Sequence, residues 1–295
     1  MFRKLVAVTF TFALAVSAAG AADTTSPRPN ISAAEIVNKN VAARGGLQAW
    51  RAVQSISMEG KLGAGGDQRA RLPEPMPGKR MRATPTDPRP KEEVQLPFVM
   101  EMQRPRKQRF ELLFSGKTAL QVYDGSNGWK LRPYLNRMEI EPFSADELKA
   151  SSMQPDLDGY LVDYASKGTQ VALDGMEKVG DRETYKLKLT LSNGQSLHVW
   201  IDAQTYLEAK IEGTPRRLDG VAHPVEIYYR DYRPVDGLQI PFVLETRVVP
   251  VAGQGHSMSS AFPAEKIALD KVVVNPKLDA SVFTKPVVHD GPSNK

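Results

Sequence analysis

Cysteine is absent from the 295 residues, and histidine is scarce. The lack of cysteine excludes disulfide scaffolds, thiolate zinc sites and cysteine nucleophiles. The four histidines (198, 223, 256 and 289) lie far apart, without a carboxylate at metal-ligand spacing, and GxSxG, HExxH, GxxxxGK[ST] and GxGxxG are all missing. We therefore expect no catalytic residues, no metal and no cofactor. A spatial triad of His198 with a serine and an aspartate is the enzymatic alternative that remains open.

Long hydrophobic runs are also lacking, except at the amino terminus. Arg3 and Lys4 precede an apolar stretch at residues 5–16, and small residues follow at 19–21. This pattern is typical of a secretory signal peptide, whereas a transmembrane anchor needs about 20 apolar residues. We expect residues 1–22 to be removed and 23–295 to form a single domain in the periplasm. No cysteine follows the run, so this chain offers no site for lipoprotein acylation.

The chain is mildly basic, and its excess positive charge is concentrated in one region. The formal charge is +5, and it falls to +3 when Arg3 and Lys4 leave with the signal peptide. Residues 69–109 hold eleven Lys and Arg against five acids, with eight prolines between 73 and 105. We interpret 72–90 as a basic Pro-rich loop, either solvated or a docking surface for anionic lipid headgroups or an acidic partner. Aromatic residues that could stack on bases are missing there, so we expect no nucleic-acid partner.

Four segments have the pattern of short helices with an apolar side. Ser32 and Glu35 have capping-box spacing before an apolar stripe that ends at Gly45-Gly46, and a short second helix is predicted at 47–53. Ser144 and Glu147 repeat the capping box. Apolar residues at i, i+3, i+4 and i+7 then predict a further helix over 157–164.

The remaining sequence alternates apolar and polar residues with period two, which predicts about ten half-buried antiparallel strands. Between two of them, a two-residue Asn193-Gly194 turn would place the apolar rows on opposite faces. A three-residue loop with left-handed Gly194 would instead pair Leu189 with Leu197, and we predict this loop. A sheet of this size curls strongly, and the helices can lie in its concavity.

One set of large apolar residues is a candidate ligand-binding surface. Methionine is suited to such a role because its flexible thioether repacks at low cost. Periodicity alone leaves two interpretations open, a cavity for acyl chains or an ordinary core covered by helices. The candidate residues are Phe98, Met100, Met102, Phe110, Leu112, Phe114, Trp129, Leu187 and Leu189.

Several motifs together resemble the periplasmic lipoprotein carriers of the LolA/LolB type, and most closely the LolA-like outer membrane lipoprotein-sorting proteins of Gram-negative bacteria. The first is an RP element that leads into a strand, followed by a strand that ends in DG shortly before a tryptophan. The similarity extends over most of the chain after the signal peptide. The motifs are EIV at 35–37, RGGL at 44–47, RPRKQRFELLF at 104–114, YDGSNGW at 123–129, RP at 132–133, DGYLVDY at 158–164 and DYRPVDG at 231–237.

The resemblance implies an α+β fold, an incomplete, curved antiparallel β-barrel wrapped around short lid helices. It implies an apolar cavity for lipoprotein acyl chains or another amphiphilic lipid, and no catalysis and no metal. Arg104 occupies the position of the arginine that holds the lid closed in the carriers. Inner- and outer-membrane transport components would be partners, with transient membrane contact. The alternative is a cell-envelope binding or sensor module of the same fold that engages a protein or lipid headgroups.

Overall fold

The computed structural model describes residues 31–65, 93–218, 221–251 and 264–287. The predicted signal peptide and the basic loop at 72–90 lie outside these residues. The helices are α1 (Ala33–Ala43), α2 (Leu47–Ala52) and α3 (Ala145–Ser152), with 3-10 helices at Pro133–Leu135 and Ala280–Phe283. None of the helices in the described ranges is long and apolar enough to cross a membrane.

The strands of the described residues form one antiparallel sheet of thirteen. They are β1 (Ser55–Gly65), β2 (Glu93–Gln103), β3 (Lys107–Phe114), β4 (Lys117–Tyr123), β5 (Gly128–Arg132), β6 (Arg137–Pro142), β7 (Gln170–Val179), β8 (Arg182–Thr190), β9 (Ser196–Asp202), β10 (Glu208–Leu218), β11 (Val221–Val235), β12 (Leu238–Val248) and β13 (Glu265–Val274).

The order of the strands leaves the sheet open. Neighbours in the sheet are consecutive in sequence, except that β1 pairs with β13, so β6 and β7 form the two edges. Residues 143–169 connect these edges, and we call them the crossing segment. Because β6 and β7 lie at opposite edges, the crossing segment must traverse one face of the sheet. The architecture is the open, curved half-barrel that was expected.

The helices and the crossing segment cover the inner face, the side of the sheet that carries the main core. Ile36 and Val37 of α1, Trp50 of α2 and Leu161 and Val162 of the crossing segment are at most 2% exposed. They belong to one cluster with buried residues of β8, β9 and β12. Burial of these apolar side chains is the main driving force for closing the helices onto the sheet.

The local signals of α1 and α3 are confirmed. The hydroxyl of Ser32 accepts a hydrogen bond from the Glu35 amide, and Ser144 and Glu147 form a complete capping box. Gly45 follows α1 with φ of +115°, and a Cβ there would lie 2.4 Å from the carbonyl oxygen of Gly237. Only glycine fits this position, where the end of α1 meets the turn before β12.

The hairpin between β8 and β9 has the predicted three-residue loop. Leu189 pairs with Leu197, Leu191 donates its amide to Gln195, and Gly194 is left-handed. The apolar rows of the two strands therefore face the same side.

Two predictions of secondary structure were wrong. The helix expected at 157–164 is a succession of turns, because Gly159 and Asp163 have positive φ angles of 78° and 52°. Its apolar residues still face the core, so the periodicity identified the buried side but not the backbone. Strands β6 and β7 were not predicted. They are the edge strands; β6 has no fully buried side chain, and an irregularity between Leu173 and Met176 interrupts the pairing of β7.

Candidate functional site

The inner face of β1, β2 and β3 carries a row of methionine and phenylalanine side chains. Met100 lies opposite Met58 on β1 and Phe110 on β3. The register therefore brings six of the predicted residues to one face, as the alternation suggested. They are Phe98, Met100, Met102, Phe110, Leu112 and Phe114.

Burial divides the inner face into two halves. Leu187 and Leu189 are fully buried, in the half covered by α1 and the crossing segment. Met100 and Phe110 are half-buried, in the half formed by β1, β2, β3 and β13. Half-buried side chains such as Tyr185 and Leu197 also occur in the first half, whereas in the second half most of the methionine and phenylalanine row is partly accessible. We call the second half the methionine face, and it comprises Met58, Met100, Met102, Phe110 and Leu112, with Phe98 buried at its base and Phe114 exposed at its rim.

Trp129 does not belong to this set, since it lies on the outer face. It pairs with Val122, which in turn pairs with Arg109. The side chains of this row point to the other face of the sheet from Phe110, the neighbour of Arg109 on β3. Trp129 lines an outer groove of about 430 Å³, beside the 3-10 helix that contains Phe283. The sequence alternation of β5 does not reveal its facing because the register to β4 depends on the turn between them.

Arg104 ties the end of β2 to the crossing segment. Its guanidinium donates to Asp156 Oδ2 at 3.1 Å and to Asp158 Oδ2 at 2.9 Å, and to the carbonyl oxygen of Val53 at 2.8 Å. The Asp158 side chain is only 4% exposed. Arg104 therefore contacts a segment that covers the inner face, which is the arrangement that a latch requires.

Further cations hold the crossing segment along its length. Arg44 donates to the carbonyl oxygen of Asp158 at 3.0 Å and forms an ion pair with Glu208 of β10 at 3.2 Å. Within the segment, Lys167 donates to Asp158 Oδ1 at 2.6 Å. The other ties are Lys130 with Glu147, Arg106 with the carbonyl oxygen of Ser152, and Arg51 with Asp163.

The ion pairs perturb the acids that they engage. The hydrogen bond from Arg51 lowers the pKa of Asp163. Partial burial pushes the pKa of Glu147 upward, but hydrogen bonds from Lys130 and Ser144 outweigh burial, and the net shift is downward. Both carboxylates are therefore charged at neutral pH and hold the crossing segment in place.

Sequence reasoning singled out Arg104 but did not identify its two acidic partners. Asp158 stands in one of the quoted motifs, whereas Asp156 carried no signal, and neither did Lys167, which also binds Asp158. The available hint was the presence of two aspartates within an otherwise largely apolar stretch. Asp158 and Asp163 interrupt the stretch that supplies Leu161 and Val162 to the core.

The basic region at 69–109 is partly used inside the fold. Arg104 and Arg106 bind the crossing segment, and Arg109 bonds Glu111 and the carbonyl oxygen of Val282. Residues 69–91 lie outside the described residues. The described cations of this region therefore mainly form ion pairs and hydrogen bonds within the protein.

The described residues give little support to a catalytic triad at His198 or to a metal site. His198 lies on the outer face, with Nδ1 3.0 Å from Glu212 Oε1 and Nε2 3.4 Å from Asp174 Oδ2. Its ring nitrogens thus face two carboxylates instead of the serine and aspartate of a triad. No group of three or more His, Asp or Glu in the described ranges could hold a metal ion.

No protein-family model matches the sequence, and no curated protein matches it. The fold is similar to that of several solved structures. A LolA superfamily protein from Nitrosomonas europaea matches with a TM-score of 0.51 and 12% identity, over 86% of this chain and 98% of that chain. A DUF1329 family protein from Desulfovibrio piger matches with a TM-score of 0.49 and 10% identity, over 84% and 95% of the two chains. An outer membrane lipoprotein-sorting protein domain from Vibrio parahaemolyticus matches with a TM-score of 0.48 and 11% identity, over 86% and 96%.

Proposed function

We propose, from the fold shared with a LolA superfamily protein, that this chain is a periplasmic carrier. It binds the acyl chains of lipoproteins, or another amphiphilic lipid, against the methionine face. The crossing segment is its lid, and Arg104 is the latch. The predicted signal peptide supports the periplasmic location.

The observation that carries the proposal is the partial exposure of the methionine face beside a segment held by ion pairs. An ordinary core would bury Met100 and Phe110 as completely as it buries Leu187 and Leu189. Methionine adapts to chains of different shape because its unbranched side chain has three rotatable bonds. The polar ties of the lid can break and re-form in water.

The energetics of this site suit a carrier. Each buried methylene contributes about 0.8 kcal/mol, so ten methylenes give about 8 kcal/mol before ordering costs. That corresponds to roughly micromolar affinity, tight enough to shelter a chain and weak enough to release it. The carrier needs no cofactor or metal, and its partners are the lipid and the transport components of the two membranes.

The first test is the lipid content of the purified protein. We expect mass spectrometry of organic extracts to find stoichiometric lipid, and the delipidated protein to take up a fluorescent fatty acid. A clean extract together with no uptake would refute the carrier. If the protein then binds anionic vesicles in a salt-sensitive manner, the envelope binding or sensor module is the correct function.

A pair of variants locates the binding surface. Met100→Glu places a charge on the methionine face, and we expect it to weaken fatty-acid binding at least tenfold. Val99→Glu is the matched control, because Val99 is its neighbour on β2, 36% exposed, and lines a groove on the outer face. Equal effects of the two substitutions would show that the methionine face is not the site.

A further inference from the structure

Apart from the methionine face, the described residues form an apolar groove between α1 and the crossing segment. It has a volume of about 490 Å³, within the usual range for sites that bind small molecules. One wall is formed by α1 and the start of α2, and the other by residues 161 and 163–166. The lining is mainly apolar and includes Val37, Val41, Ala42, Leu47, Leu161 and Tyr164.

The floor of this groove is the core itself. Val37 and Leu161 line the groove and also belong to the cluster that packs on the inner face. They are 1% and 2% exposed. A ligand in the groove would therefore lie directly over the core, between the two elements that cover the sheet.

A charged pair stands at the edge of the groove. Asp163 lines the groove, and its carboxylate receives two hydrogen bonds from Arg51, at 2.9 Å from Nε and 2.6 Å from Nη2. The Arg51 side chain is 50% exposed, so the guanidinium is accessible from solvent. A fork of two parallel N–H donors also matches the oxygens of a carboxylate or phosphate headgroup.

We propose that this groove is a second amphiphile subsite, which holds one long acyl chain with its anionic headgroup on Arg51. The headgroup oxyanion takes the place of the Asp163 carboxylate. This inference rests on the proposed function, because the ligand is of the same class. The apolar lining and the neighbouring guanidinium complement the two ends of such a ligand.

Occupation of the subsite would loosen the lid. Arg51 is on α2 and Asp163 on the crossing segment, so their ion pair joins the two elements. A headgroup that binds Arg51 releases the crossing segment at this point, and it thereby favours the open arrangement. Loading at the groove and access to the methionine face are then coupled.

The absence of cysteine permits a clean test of occupancy. Ala42→Cys places a single thiol in the groove, and Ala34→Cys is the matched control on an exposed position of α1 that does not line it. Each thiol carries an environment-sensitive fluorophore. We expect palmitate and palmitoyl-lysophosphatidylglycerol to shift the emission of the probe at 42 and not that at 34. A response to one of them alone identifies the headgroup as carboxylate or phosphate.

Charge variants test the role of Arg51. We expect Arg51→Gln to weaken the response to both anionic probes about tenfold, while Arg137→Gln, an equally exposed arginine paired with Glu141, leaves it unchanged. Asp163→Asn should strengthen it several-fold, because asparagine tolerates the left-handed backbone and frees Arg51. Monopalmitoylglycerol has a neutral headgroup, so the fluorophore at position 42 should respond to it equally in all three variants.

The outcomes separate this subsite from the carrier function. A protein that takes up fatty acid, loses uptake with Met100→Glu and shows no probe response at 42 would overturn the subsite alone. Loss of uptake in every assay would refute the carrier as well. Equal probe responses at 42 and 34, or no difference between Arg51→Gln and Arg137→Gln, would also overturn the subsite.

Discussion

Replacement of Arg104 by leucine should release the crossing segment without unfolding the sheet. The guanidinium makes two charge-assisted bonds, to Asp156 and Asp158, each worth about 1.5–3 kcal/mol. Its side chain is 22% exposed, and Lys167 remains to neutralise Asp158, so the two bonds together contribute less than their sum. We expect a loss of about 2 kcal/mol, which raises the open population of the crossing segment about 30-fold.

Amide hydrogen exchange measures this opening directly. The reporting amides are those of Gly159, Lys167, Gly168 and Thr169, which bond within the crossing segment. Their exchange should quicken about 30-fold, while amides of β8 and β9 keep their protection. Arg109→Leu is the matched control, because Arg109 is also 22% exposed but bonds on the outer face. Unchanged exchange in Arg104→Leu, or the same change in Arg109→Leu, would refute the latch.

Two other predictions concern stability and pH. Leu189→Ala should lower the free energy of unfolding in urea by about 2–5 kcal/mol, because Leu189 is fully buried. Leu112 is half-buried on the methionine face, so Leu112→Ala should lower it by less than half as much. Equal losses would mean that both residues belong to the core. The lowered pKa of Asp163 means that its pairing with Arg51 contributes stability above pH of about 4 and loses it as the pH falls through the folded pKa. The protection factors of the crossing-segment amides, which correct for the pH dependence of intrinsic exchange, should therefore fall on acidification. Asp163→Asn should flatten this fall, and a fall that the variant leaves unchanged would assign it to other acids.

Local rules sufficed where short-range physics decides the structure. Capping by Ser32 and Ser144 is set by a few neighbouring residues, and so is the left-handed Gly194 in its loop. Period-two alternation assigned Met100 and Phe110 to one face because successive side chains of a strand point to opposite faces of the sheet. The open half-barrel followed from the family resemblance, and the shared fold confirms it.

The crossing segment could not be predicted in the same way. Its apolar periodicity suggested a helix, but Gly159 and Asp163 adopt positive φ angles. The ion pair between Asp158 and Arg104 joins residues 54 positions apart, and no local pattern reports such a contact. The facing of Trp129 likewise depends on register across two strands. The position of the crossing segment therefore depends on long-range pairing, which sequence periodicity does not encode.

Methyl resonances of the methionines test the central claim most directly. In protein labelled with 13C at the methionine methyls, an added long-chain fatty acid should give contacts to Met58, Met100 and Met102, which lie on the methionine face. Met138 is 50% exposed on edge strand β6 and serves as the internal control. Acyl-chain contacts at the first three and none at Met138 are the predicted result. Contacts at Met138 alone, or no contact at any of the three, would contradict the carrier.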